Sequence, residues 1–440
     1  MLDADDTGSA EGYPRGRWLI WGVLTLAFMI VYFHRVSPTF IIDRLMVDFE
    51  AREGAVLGSL AAIYFYVYVV MQIPTGLLAD FWGPRYTITT GMVLAAAGSL
   101  AFGAAPTFFH LFLGRFLVGL GVSVVFVCIL KALANWFPPT EFSTAAGGII
   151  FMGNLGAIAS TTPLALIVDA YGWRAAFAGV GLLSLAVALV CWRLVTDRPA
   201  SPGAGGRKAR RVTPTINKSM VLQVARNPGT WYPFWVLFGL YGTLMAFFGA
   251  WGGPYLMQIY GLSRTQAANV MLFVALGMMA GSLSGFLSDR LKMRQKPFLF
   301  FVALYVTGWS LLTFWGMARP PLAVLYVLLF IMGAGGGGAA PVLGLTCVKE
   351  ANPPEISGLA MGTANIGGFL GVSLMQPLMG YILDRNWEGV LLDGVKIYPQ
   401  EAYFKAFLIG GLVLAATCWT IFLIRDNFSG TSSPQTTPKD

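Results

Sequence analysis

Two arginines lie inside long apolar stretches of this 440-residue chain: Arg35, in the run Tyr32-Phe33-His34-Arg35, and Arg115. A guanidinium carries its N–H donors in a planar fork that matches a carboxylate or a phosphate bidentately. Holding one in hydrocarbon costs at least about 2.5–3.5 kcal/mol on insertion scales, so each needs a partner or a water-filled cavity. The stretches themselves hold no Asp or Glu; Asp43, Asp169, Asp289 and Asp384 stand at their edges. An anion arriving from water would therefore complete the pairing of Arg35, unless a neighbouring helix supplies its partner. Arg115 has the same two readings, a substrate or proton relay on one side and interhelix hydrogen bonds on the other. His34 is the one group in the stretches that ordinarily titrates near neutral pH. The charge of Arg35 opposes a second positive charge beside it until an anion arrives, which would couple proton and anion uptake. A neutral histidine bonded to a neighbour is the alternative.

Polar and aromatic side chains recur around these cations at helical spacing. Tyr64, Tyr68 and Gln72 share one face, Tyr241, Phe248, Trp251 and Tyr255 form another stripe, and Asn365 and Gln376 stand eleven apart. Aromatic stripes commonly pack helices together. Hydroxyl and amide groups away from water need partners, however, which points Tyr64, Tyr68, Gln72, Tyr241, Trp251, Asn365 and Gln376 toward a substrate cavity. Other chemistries find no support. Four cysteines lack metal-ligand spacing, there are two histidines (His34 and His110), and no nucleophile or cofactor constellation is present. The run Gly335–Gly338 is not followed by Lys-Ser/Thr, so it reads as helix flexibility or close packing rather than a phosphate loop. The expectation is a protein that is neither an enzyme nor a self-contained ATP-driven pump, with no cofactor and no metal.

The elements that must hold these residues are membrane helices. Residues are 56% hydrophobic and 11% charged, against roughly 25% charged in soluble domains, and mean hydropathy is +0.67. Apolar runs of 20 or more residues, each long enough for a hydrocarbon core of about 30 Å, predict spans near 18–42, 54–79, 86–105, 107–134, 142–168 and 173–196. Six more follow near 231–258, 263–288, 297–317, 321–348, 356–383 and 402–424. The acidic, polar start of the chain lacks the basic opening of a secretory signal, so the first run is expected to remain as span 1. The fold class expected is an all-α polytopic membrane protein, twelve transmembrane helices in two six-helix pseudo-symmetric bundles, 1–196 and 231–440. A basic, Gly/Ser-rich linker (197–230) with Arg207, Lys208, Arg210 and Arg211 joins them. Of the 29 Lys and Arg, 19 fall on the side of the termini, eight on the other side, and Arg35 and Arg115 inside spans. The positive-inside rule then makes both termini cytoplasmic, in a cytoplasmic (inner) membrane. The net charge of +8 is expected to meet anionic lipid of the bilayer, not nucleic acid.

The two halves repeat. Gly76-Leu77-Leu78-Ala79-Asp80 after span 2 returns as Gly285-Phe286-Leu287-Ser288-Asp289 after span 8. Pro139-Thr140-Glu141-Phe142-Ser143 before span 5 returns as Pro354-Glu355-Ile356-Ser357 before span 11, and Asp169 closing span 5 is matched by Asp384 closing span 11. Parallel repeats of this kind place a substrate site between the halves near mid-membrane. The first copy continues Phe81-Trp82-Gly83-Pro84-Arg85-Tyr86, and here the chain resembles the major facilitator superfamily across its whole twelve-span layout. Gly83 permits a tight turn. By that resemblance Asp80, with Gly76, Gly83 and Arg85 and the second copy Asp289-Arg290, latches the halves on the cytoplasmic side. Leu111, Arg115, Gly119 and Gly121 are similar to the family's span 4 pattern, with Val118 where that pattern usually has Gln. Gly148, Gly153, Gly156 and Pro163 in span 5 are similar to an antiporter signature but lack its Gly-Pro pair, which leaves packing or exchange.

Within the superfamily, Arg35 behind aromatics, Asn135-Trp136-Phe137-Pro138 with Glu141, and Tyr171-Gly172-Trp173-Arg174 resemble the organic-anion and organophosphate branch. In that branch the span 1 arginine holds the anionic group of the substrate. Phosphate-binding relatives carry a second arginine in span 7; Trp231–Gln258 has no charge, which favours one carboxylate, on an anion or a zwitterion. The resemblance implies a monomeric secondary active transporter that moves a small molecule by alternating access with protons. Efflux of amphipathic drugs is the alternative within the superfamily.

Overall fold

A computed structural model describes residues 16–49, 53–197, 218–353, 355–392 and 395–424; for residues 73, 76, 77, 80, 139, 140, 142 and 143 it describes the backbone alone. With no water to satisfy backbone groups in a bilayer core, the apolar runs must close their hydrogen bonds internally, and they do so as helices. Among the described residues, eleven segments are long and apolar enough to cross a membrane. One of them, Thr144–Leu194, has 51 residues, about twice the length a crossing needs. It divides at Gly172, whose φ of +80° breaks the helix. The chain therefore makes twelve crossings.

Span 1 is Arg17–Val36 with a 3₁₀ turn Ser37–Phe40, span 2 Gly54–Phe81, span 3 Pro84–Gly103, and span 4 Phe108–Ser123 with Val125–Trp136. Pro139–Ala159 and Thr162–Leu194 supply spans 5 and 6. A short helix Lys218–Arg226 precedes span 7, which runs Pro228–Ala246, a π-helical turn Phe247–Trp251, then Gly252–Tyr260. Span 8 is Arg264–Gly281 with Ser284–Leu291, and span 9 is Gln295–Phe314. Span 10 is Leu322–Met332 and Ala340–Ala351 around a second π-helical segment, Gly333–Ala339. Spans 11 and 12 are Ser357–Arg385 and Gln400–Cys418. A two-residue antiparallel ladder, Leu391–Leu392 with Val395–Lys396, joins them and departs from the purely helical expectation.

We call the face where span 1 begins with Arg17 the near face, and the opposite one, where span 2 begins with Gly54, the far face. Among the described residues, bonds between the first six and last six spans lie at mid-depth or at the far face. Span 2 runs along span 11, from Gly54 against Gly380 to Tyr68 against Phe369, with ring centroids 4.4 Å apart. Thr39 Oγ1 donates to the Phe248 carbonyl (2.6 Å), placing the 3₁₀ turn of span 1 on the π turn of span 7. On the near-face side, a Cβ added at Gly147, Gly358 or Gly362 would meet no atom within 4 Å.

Small residues fix the close crossings. A Cβ at Gly156 would lie 1.9 Å from the Met29 carbonyl oxygen, and one at Gly153 would strike Phe28, so the span 5 glycines pack against span 1. The glycines of the π segment in span 10 do likewise, with Gly333 against Val274 and Gly335 against Phe301.

Candidate functional site

Span 1 ceases to be α-helical at Val36, and Arg35 stands in its last turn, where the helix dipole favours a cation. Helical side chains lean toward the N-terminus, so this one reaches back toward the near face. Its partners sit at the middle of their own spans. Nη1 donates to the Tyr241 hydroxyl of span 7 (2.9 Å), and Cζ lies 4.6 Å from the Tyr32 ring, 5.4 Å from Tyr68 and 5.3 Å from Phe369. The guanidinium is thus walled by aromatic faces from both halves of the molecule, each worth about 0.5–2 kcal/mol. Arg35 is 5% exposed, its Nε is buried without a hydrogen-bond partner, and no carboxylate is paired with it among the described residues. One helical turn nearer the near face, Gln72 and Asn365 are half-buried and hydrogen-bond to no other described residue. The arrangement offers an anion a cation, an aromatic wall and two amides.

The remaining candidates serve around this centre. Arg115 Nη1 donates to the His34 carbonyl (2.8 Å), one of the carbonyls left over where span 1 ends, and its Cζ lies over the Tyr64 ring at 5.2 Å. Tyr64 lies within reach of the Val31 carbonyl (3.4 Å). The His34 imidazole is fully buried inside the first six spans, Nε2 at 3.4 Å from Ser184 Oγ of span 6 and Nδ1 without a partner. Trp251 and Gln376 lie on the far side of Arg35: Trp251 Nε1 donates to the Gln376 carbonyl (2.9 Å), and Gln376 Nε2 donates to that of Met245 (3.1 Å). Both are completely buried, as are Phe248 and, nearly so, Tyr255, which packs on Tyr403 and Phe407. Sequence reading did not assign Tyr32 or Phe369 to the site, although Phe369 is one turn from Asn365 on span 11.

At the near face, Gly83 has φ +83°, and a Cβ there would meet Asp197 Oδ2 at 2.5 Å. Asp197 Oδ1 accepts from the Arg85 N–H (2.8 Å), while the Arg85 side chain donates to the Trp192 carbonyl. Asn135 and Trp136 tie the same segment by donating to the Asp197 and Thr196 carbonyls. Gly76 lies within span 2, described by its backbone alone; the Asp80 side chain lies outside what is described, as does the linker's basic run. In the second copy, Arg290 is exposed, and it is Arg294 that binds Asp289, Ser288 and Glu350. The two residues are four apart, one turn across the helix end, and Arg294 is the true counterpart of Arg85, 209 residues on, like Asp289 to Asp80.

Missed altogether were the far-face pairs. Arg264 binds Asp43 (2.6 Å) and Asp169 (3.5 Å), and Asp384 binds Lys396 (2.9 Å) and Tyr398 (3.0 Å). Asp48 accepts from Trp173 and Arg174. Desolvation raises its carboxyl, but those bonds and the Arg174 charge prevail and hold it below the usual carboxylate range.

Residues 16–376 match the Major Facilitator Superfamily. The chain is 24% identical to the hexuronate transporter of Escherichia coli K12, over 92% of this chain and 94% of that one. It is 25% identical to the glycerol-3-phosphate transporter of Bacillus subtilis 168 (88% and 90% covered), and 24% identical to that organism's "probable galactarate/D-glucarate transporter" (86% and 88%). Among solved structures, it superposes on an inward-facing bacterial homologue of the human lysosomal transporter Spinster with a TM-score of 0.72 at 18% identity, covering 96% of this chain and all of that one. A D-xylose–proton symporter gives 0.71 at 14%, covering 94% and 99%. The chain belongs to the Major Facilitator Superfamily. It is a multi-pass membrane transporter whose curated relatives bear the names of organic-anion and organophosphate carriers.

Proposed function

We propose that the chain is a secondary active carrier for a small organic anion or zwitterion bearing one carboxylate, driven by protons. The observation that carries this reading is Arg35: a mid-depth guanidinium with a buried donor to spare, no paired acid, and walls contributed by both halves. The absence of Lys and Arg from Pro228–Tyr260 supports a single negative group, and so a hexuronate-like monoacid over a diacid or a phosphate ester. Gln72 and Asn365 suit the hydroxyl or ammonium groups of such a molecule. The near face is cytoplasmic by the distribution of Lys and Arg, so the present conformation opens inward. Residues 1–196 rock against 231–440 about the 197–230 linker, and Asp80 latches the near face when it closes. His34, with an unpartnered Nδ1 behind Arg35, takes the coupled proton.

Counterflow in proteoliposomes tests this. Preloaded hexuronate should drive uptake of labelled hexuronate, while glycerol-3-phosphate, galactarate and an organic cation should not. Exchange of the phosphate ester or diacid in preference to the monoacid would overturn the single-carboxylate reading, and exchange of organic cations alone would overturn the anion reading.

A further inference from the structure

Two seams close the far face, span 2 on span 11 and span 5 on span 8, and an aspartate sits at the end of each. Asp384, at the end of span 11, crosses to the first half and accepts from the backbone N–H of Ala55 (3.0 Å). Asp169, at the end of span 5, crosses to the second half and accepts from the Thr265 hydroxyl (3.1 Å). Ala55 and Thr265 are each the second residue of their helix. The two aspartates are themselves counterparts in the internal repeat. Each half thus extends the same acid onto the same turn of the other half's second helix, where unsatisfied N–H groups and the dipole favour negative charge.

The first helical residue differs between the copies, and the difference changes how each seam closes. In span 2 it is Gly54. A Cβ there would lie 2.7 Å from Tyr398 Oη, and one at Gly380 would lie 2.3 Å from the Gly54 carbonyl, so this seam closes backbone on backbone. Lys396 Nζ and Tyr398 Oη then steady Asp384 from its own half. In span 8 it is Arg264, whose side chain is 6% exposed and spans Asp43 and Asp169, so this seam closes by charge.

We propose that Asp169 and Asp384 are a crossed pair of clasps that hold the carrier shut at the far face, and that both release before the central site opens there. The proposal rests on the rocking of the two halves described above. Its test uses Thr39→Cys, a fully buried position between the halves, and an impermeant maleimide added to right-side-out vesicles. Asp169→Asn and Asp384→Asn should each speed labelling at least about fivefold, the lower end of ordinary intersite coupling. Asp169→Glu, which keeps the charge, should label as slowly as the parent. Asp48→Asn lies at the same face but pairs within the first half, and it should change nothing. Asparagine variants that label no faster than the parent, or a glutamate variant as fast as asparagine, would overturn the clasps. The readout needs no substrate: faster labelling without any counterflow would sink the transport reading and leave the clasps standing, and unchanged labelling with active counterflow the reverse.

Discussion

Arg35 and Arg115 are buried to the same degree, in neighbouring spans, and each makes one hydrogen bond through Nη1. What separates them is the partner. Arg115 donates to a main-chain carbonyl within its own half, at the point where span 1 leaves the α-helix, and so satisfies a group that Pro38, four residues on, has no N–H to meet. Arg35 stands one residue beyond that carbonyl and donates to a phenol of the opposite half. In the rocking proposed above, a backbone carbonyl of the same half keeps its place, whereas the Tyr241 hydroxyl moves with span 7. Burial alone therefore does not separate the two arginines; what differs is whether the partner belongs to the same six-span half.

The largest effect should come from Arg35. Removing one member of a buried charge pair costs about 2–5 kcal/mol of binding, so Arg35→Ala should abolish counterflow while the protein still purifies as a folded species. Arg35→Lys should recover little, because the fork is lost. Arg115 should behave in the opposite manner. Arg115→Ala leaves the His34 carbonyl only the long bond from the Ser37 hydroxyl (3.4 Å) and should lower thermal stability by about 1–3 kcal/mol, reducing transport through misplacement of span 1. Arg115→Lys keeps one donor and should restore both stability and most transport, measured by thermal shift and counterflow on the same preparations. Equal rescue by lysine at both positions would erase the distinction. The smallest effect on exchange should come from His34, which bonds only within the first half: His34→Ala should leave counterflow near the parent level and remove accumulation driven by a pH gradient. Loss of both together would move His34 into the binding site proper.

Periodicity and length were enough to read the twelve crossings, because a bilayer permits little else, and Arg35 stood out because a charge in such a run demands a reason. The Asp169–Asp384 correspondence was likewise visible as a repeat. What lay beyond reading were partners set by packing between distant spans. Nothing near Phe369 in the chain says that it faces span 2, and Asp43 gives no sign of Arg264. Helix register caused the Arg290 error: the basic residue next to Asp289 points to solvent, while the one a turn later folds back onto it. Trp251 and Gln376 were read as cavity-lining from their polarity; both are fully buried on the far side, Trp251 Nε1 and Gln376 Nε2 each donating to a backbone carbonyl.

The crossed clasps also bear on how the chain is made. Thr265 follows Asp169 by 96 residues, and Asp384 follows Ala55 by 329. At about 5–20 residues per second, the first half waits in the bilayer roughly 5–20 s for one clasp and 15–65 s for the other. During synthesis its far end therefore holds Asp43 and Asp169 facing water and the start of span 2 uncapped. The charged seam can form as soon as span 8 is inserted, and the glycine seam, which tolerates no side chain in its way, closes last.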